Sequence, residues 1–73
     1  MKTVKISTPY ITLGQFLKYI DIASSGGAVK SILRENKIRV DGEIETRRGK
    51  KLYPGSTVSL EDETAFRIEA GHD

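Results

Sequence analysis

The spacing of apolar residues changes period part-way along this chain. Between Thr12 and Asn36 they recur at helical intervals; from Ile38 onward they alternate, as residues on one face of a strand do. Helices followed by a run of strands make an α+β domain. Leu13, Phe16, Leu17 and Ile20 follow the i, i+3, i+4, i+7 rule and predict one buried stripe. Thr12 and Gln15 have capping-box spacing, in which a hydroxyl and an amide satisfy orphan backbone N–H groups. Gly14 weakens that helix by up to about 1 kcal/mol relative to alanine, and Lys18, off the stripe, is expected to face water. Ser24-Ser25-Gly26-Gly27 interrupts the pattern. A second helix then runs to about Glu35, with Val29, Ile32 and Leu33 on its apolar side and Asn36 at its end.

The strand-like remainder begins with its strongest signal. Ile38-Arg39-Val40 and Glu43-Ile44-Glu45 flank Asp41-Gly42, a pair that tolerates the positive φ of a tight hairpin turn. Pro54-Gly55 predicts another turn, Thr57 to Leu60 a strand with Val58 and Leu60 inward, and Glu61 to Glu63 a turn. Phe66 and Ile68 define a last strand, and the final few residues are expected to fray. At the other end Lys2 to Ser7 alternates around Val4 and Ile6 and reads as a further strand.

At 73 residues the chain holds one domain, 1–73, with its motifs between about 12 and 60. Zero Cys excludes disulfides and thiolate metal sites, and a single His, His72, makes an imidazole-built zinc or haem site unexpected. No cofactor or metal is expected. No stretch has the apolar length of a signal peptide or membrane helix, so a cytoplasmic location without membrane association is expected. The net charge of +2 conceals an asymmetry: residues 61–73 hold one of the 12 Lys and Arg but five of the 10 acids. The basic body suits an anionic partner, and the acidic stretch is expected to temper non-specific binding.

Catalytic chemistry finds no footing. A nucleophile needs a base and an orienting group within reach; Glu43 and Glu45 alternate along a hairpin and are expected to be solvated. GGAVKS lacks the G-x-x-x-x-G-K-[ST] spacing of a phosphate-binding nucleotidase loop. The chain is therefore expected not to be an enzyme. Gly26 and Gly27 either simply permit a tight turn or leave the first helical N–H groups open to a phosphate, with Ser24 or Ser25 capping the helix or bonding that phosphate. Lys30, Arg34 and Lys37 repeat at i, i+4, i+7, while Arg47, Arg48, Lys50 and Lys51 crowd around Gly49. Arg39 can join from the hairpin. If the helix pair packs beside the 46–51 stretch, six or seven cations share one side and bind polyphosphate through counterion release. Aromatic residues are few. Phe16 and Phe66 are assigned to the core, Tyr19 to a structural role, and Tyr10 and Tyr53 stay open. That scarcity of stacking platforms favours folded RNA over single-stranded sequence.

The order of these features resembles the S-four RNA-binding domain, named after ribosomal small-subunit protein four. The stretches TLGQFL, SSGGAVKSIL, IRVDG and PGSTVSL stand where that family has its first-helix start, its step into the second helix, its V-x-V-N-G hairpin and its closing G-D-x-V. ITLGQFLK, SGGAVK, IRVDGEIE and RRGKKL are similar to the short stand-alone bacterial members called YaaA or YbcJ. Thr12 and Gly14 replace the usual Arg and Asp of the first helix, and Ser25 or Gly26 the usual Arg of the second. The resemblance implies the αL fold: two short helices packed on a small antiparallel sheet with the D-G hairpin. It also implies binding to structured RNA, ribosomal or transfer RNA, with association with the ribosome as a further expectation. Ser24 to Gly27, Lys30, Arg34, Lys37, Arg39, Arg47, Arg48, Lys50 and Lys51 are the residues expected at the RNA. The competing reading is a protein-interaction module or homodimer that pairs through a sheet edge.

Overall fold

In the computed structural model, which describes residues 1–71, the capping box forms as its spacing predicts. Thr12 Oγ1 accepts from the Gln15 N–H at 3.3 Å, and Gln15 Oε1 accepts from the Thr12 N–H at 3.1 Å. This opens α1, Leu13–Tyr19. Ser25 caps α2, Gly26–Arg34, by accepting from the Ala28 N–H at 3.2 Å. The helix stops at Glu35, and Asn36 follows with φ 57°.

Strands β1 (Lys2–Ile6), β3 (Arg39–Val40), β4 (Glu43–Ile44), β6 (Thr57–Ser59) and β7 (Ala65–Ala70) form one sheet in the order β1-β7-β6-β3-β4. Asp41 at φ 51° and Gly42 at φ 88° make the predicted hairpin turn between β3 and β4. The Asp41 carboxylate also accepts from the Thr57 N–H at 2.9 Å, which locks the turn to β6. The helices lie against this α+β frame as expected, but the sheet is mixed rather than wholly antiparallel. β1 runs parallel to β7, with Val4 opposite Ile68. Alternation fixes which face a strand buries, not the direction in which it pairs. The acidic C-terminal stretch is likewise no appendage, because β7 lies inside the sheet between β1 and β6. The expected fraying of the last residues, and His72, lie outside the described residues.

Two strands had no signal in the sequence. β2 (Ile11–Thr12) and β5 (Lys51–Leu52) pair antiparallel as a separate two-stranded sheet. They tie the start of α1 to the basic stretch. Leu13, Phe16 and Leu17 from α1, Val29 and Leu33 from α2, and Ile38, Leu52, Val58 and Ile68 from the strand region form the core. The rings of Phe16 and Phe66 meet edge-on at 5.4 Å. Burying each large apolar side chain stabilises the fold by about 1.5–3 kcal/mol, so the helix pair is held to the sheet chiefly by this cluster. Leu60 and Ile32 are only half-buried at its margin.

Candidate nucleic-acid interface

The basic stretch is a shaped loop docked on α1. The Leu13 and Gly14 N–H groups, orphans of the first helical turn, donate to the carbonyls of Lys50 (2.8 Å) and Arg48 (2.9 Å). Gly14 has a structural reason to be glycine. A Cβ there would lie 3.3 Å from the Arg48 carbonyl oxygen. The propensity lost in the helix is the condition for this close approach.

Glu45 shapes the other end of the loop. Its Oε2 accepts from the N–H groups of Thr46 (3.1 Å) and Arg47 (2.9 Å) and from Arg47 Nε (3.1 Å), while Oε1 accepts from Arg47 Nη2. These bonds, the guanidinium's first among them, pull its carboxyl down to about 2. The expectation of a solvated Glu45 is corrected, since its side chain is 13% exposed. Glu43 is exposed as expected.

Held at both ends, the loop carries the Arg48 side chain across to the start of α2. A Cβ placed on Gly26 would lie 3.8 Å from Arg48 Nη1. Arg48 also lines a shallow pocket with Lys30, Arg34 and Thr46. A second small cleft brings Arg48 and Gly26 together with Gln15 and Lys18 of α1. Arg48, Lys30, Arg34 and Lys18 are exposed, and none takes part in an ion pair among the described residues. The Gly26 and Gly27 N–H groups that open α2 have no protein acceptor among the described residues, and Gly26 shares the second cleft with Arg48 and Lys18. Ser25 is the cap, and Ser24 is exposed one residue earlier.

The remaining cations do not join this cluster. The expected i, i+4, i+7 stripe breaks because α2 ends before Lys37 and Asn36 turns the chain. Lys37 Nζ instead contacts Glu35 at 2.7 Å and Glu61 at 3.4 Å. The Glu35 carboxylate foremost, with Glu61, raises its pKa above the ordinary lysine value. Arg39 shares a polar cleft with Lys37, Glu61 and Glu63. Arg47 is held by Glu45, Lys50 is half-buried, and the Lys51 ammonium sits 4.9 Å over the Tyr10 ring. The expected convergence of six or seven cations therefore reduces to three of those foreseen, Lys30, Arg34 and Arg48. Lys18 joins them unforeseen. Its signal was its spacing: it stands four residues after Gly14, on the side of α1 that meets the loop. Tyr19, assigned a structural role, is 65% exposed.

A family model described as the S4 domain matches residues 4–69, extending on both sides of the 12–60 stretch that carries the motifs. The chain is 45% identical over 65 residues to RlbA of Bacillus subtilis (strain 168), named a probable ribosome maturation protein; the alignment covers 89% of this chain and 92% of that one. It is 37% identical over 52 residues to YbcJ of Escherichia coli (strain K12), whose name marks it as a candidate RNA-binding protein, across 71% of this chain and 74% of that one.

Proposed function

This chain belongs to the S4 domain family, and on that premise we propose that it is a non-catalytic RNA-binding protein acting as a single domain. It grips the phosphates of a structured RNA at the start of α2. The observation that carries this reading is the meeting of Lys30, Arg34 and Arg48 in one pocket, without acidic partners among the described residues, with Arg48 also reaching Gly26 at the open start of α2. Phosphate oxygens accept from backbone N–H groups at a helix N-terminus, and a guanidinium held alongside adds a charge-assisted bond. The name of YbcJ supports RNA as the partner, and that of RlbA, a probable ribosome maturation protein, supports ribosomal RNA as the target and the ribosome or its assembly intermediates, in the cytoplasm, as the setting. Transfer RNA is the other structured RNA that this surface suits.

Four cations contacting phosphates give a log–log salt slope of about −3 to −4. The test is binding of the purified chain to total ribosomal RNA and to transfer RNA across a salt series. Lys30→Ala with Arg48→Ala is expected to weaken binding and to flatten the slope by about 2. Unchanged affinity in that double variant overturns the site, and the absence of saturable, salt-sensitive RNA binding overturns the function.

A further inference from the structure

The chain has three tyrosines, at positions 10, 19 and 53, and the fold gathers them. Tyr10 and Tyr53 pack with ring centroids 5.8 Å apart and planes tilted by 51°. Tyr10 and Tyr19 both line an open groove of about 730 Å³ between segment 8–11 and α1, a size within the usual range of small-ligand sites. Pro9 and Ile11 supply most of the remaining apolar wall, and Gln15 and Lys18 the polar one. The groove is pre-shaped. Thr8 Oγ1 donates to the Tyr10 carbonyl at 2.8 Å, the Pro9 ring fixes its own φ, and Ile11 is paired to Leu52 in the small sheet. The Lys51 ammonium covers part of the Tyr10 ring, yet Tyr10 is 38% and Tyr19 65% exposed. Aromatic rings left open beside cations suit a flat, π-faced group attached to an anion.

The groove also adjoins the phosphate surface. Gln15 and Lys18 line both it and the cleft that contains Gly26 and Arg48. A polynucleotide whose phosphates lie on Arg48 and Lys30 therefore passes its next residues over Lys18 into the aromatic groove. We infer that this groove takes an unpaired nucleobase of the bound RNA, stacked against Tyr19, the more exposed of its two rings, while Gln15 and Lys18 face its polar edge or adjoining phosphate. This rests on the RNA-binding reading and adds to it a requirement for a single-stranded residue beside the structured part. It qualifies the expectation, drawn from the small number of aromatic residues, that folded RNA is favoured over single-stranded sequence, and it gives Tyr19 a role other than the structural one expected.

The test uses the full chain and one RNA hairpin with short single-stranded overhangs at both ends, compared with the same hairpin whose overhangs are abasic. Phosphate count is equal in the two. The intact overhangs are expected to bind about five- to hundredfold tighter, the range of one stacked base. Tyr19→Ala removes that advantage and leaves the abasic RNA unaffected; Tyr19→Phe retains it. Because the chain has no Trp and two of its three tyrosines line the groove, intrinsic tyrosine fluorescence is sensitive to its occupation, and the intact RNA is expected to quench it more strongly than the abasic RNA. Arg48→Ala weakens both RNAs. Equal, salt-sensitive affinity for intact and abasic RNA overturns the groove assignment alone. Failure of both RNAs to bind overturns the RNA-binding reading and this inference with it.

Discussion

The cations around α2 fall into two groups, four along the helix and two beyond its end, with opposite prospects. In the first group Arg48 and Lys18 share a cleft with Gly26 at the start of α2, and Lys30 and Arg34 extend the patch from Arg48 along the helix. Beyond the helix end, Lys37 is engaged by Glu35 and Glu61, and Arg39 shares its cleft with Glu61 and Glu63. An exposed ion pair contributes little to stability, typically up to about 1 kcal/mol. Its consequence is functional: a phosphate must displace two carboxylates to reach Lys37 and none among the described residues to reach Arg48. Charge density along a sequence does not measure this. What matters is which acids the fold returns to each cation, and Glu61 reaches Lys37 from a turn 24 positions later.

That contrast can be broken from either side. The largest effect is expected from Gly14→Val, whose branched side chain would press on the Arg48 carbonyl. Overpacking of this kind costs about 1–3 kcal/mol, and the displaced loop should lose RNA affinity by about tenfold. Thermal unfolding and RNA titration of the same preparation check both losses together. A smaller effect of opposite sign is expected from Glu35→Gln with Glu61→Gln. Releasing Lys37 should raise RNA affinity by about threefold and steepen the salt slope by up to about 1, with stability changed by no more than about 0.5 kcal/mol. No gain would mean that the far end is silent for a reason other than its acids.

The smallest effect on RNA is expected at Glu45, where the readout is acid stability. Its folded pKa of about 2 lies below the ordinary 4.5. The unfolded chain therefore binds the extra proton between those values, and stability rises with pH across that window. The contribution is fully present above about 4.5 and is lost as pH falls towards 2. Glu45→Gln should remove that part of the acid-unfolding curve while leaving binding at neutral pH within about twofold. An unaltered curve would show that the Arg47 clamp does not order the loop.

Much of the fold was legible because its signals are local. The Thr12–Gln15 box, the Ser25 cap and the Asp41-Gly42 turn each depend on residues within a few positions of one another. The helical stripe of Leu13, Phe16 and Leu17 was visible for the same reason. The parallel pairing of β1 was not, since Val4 and Ile6 alternate identically whichever way β7 runs. Nor were β2 and β5, two residues each, which exist because the 46–50 loop docks on α1. In the site, Arg48, Lys30 and Arg34 could be picked out as cations of the right segments. Lys37 was misplaced because helical spacing was extended past the residue that ends the helix. The tyrosine groove was missed because it depends on how α1 packs, which no local pattern encodes, and the i, i+4 spacing of Lys18 from Gly14 gained meaning only once the loop was seen to dock there.

The account stands most directly on one salt titration. RNA binding should be followed from about 50 to 200 mM salt for three proteins: the unaltered chain, the Lys30→Ala/Arg34→Ala/Arg48→Ala variant, and the Lys37→Ala/Arg39→Ala variant. The first variant is expected to lose about 3 from the log–log slope and the second less than about 1. Equal losses in the two, or the larger loss at Lys37 and Arg39, would contradict the claim that the start of α2 is where the RNA is held.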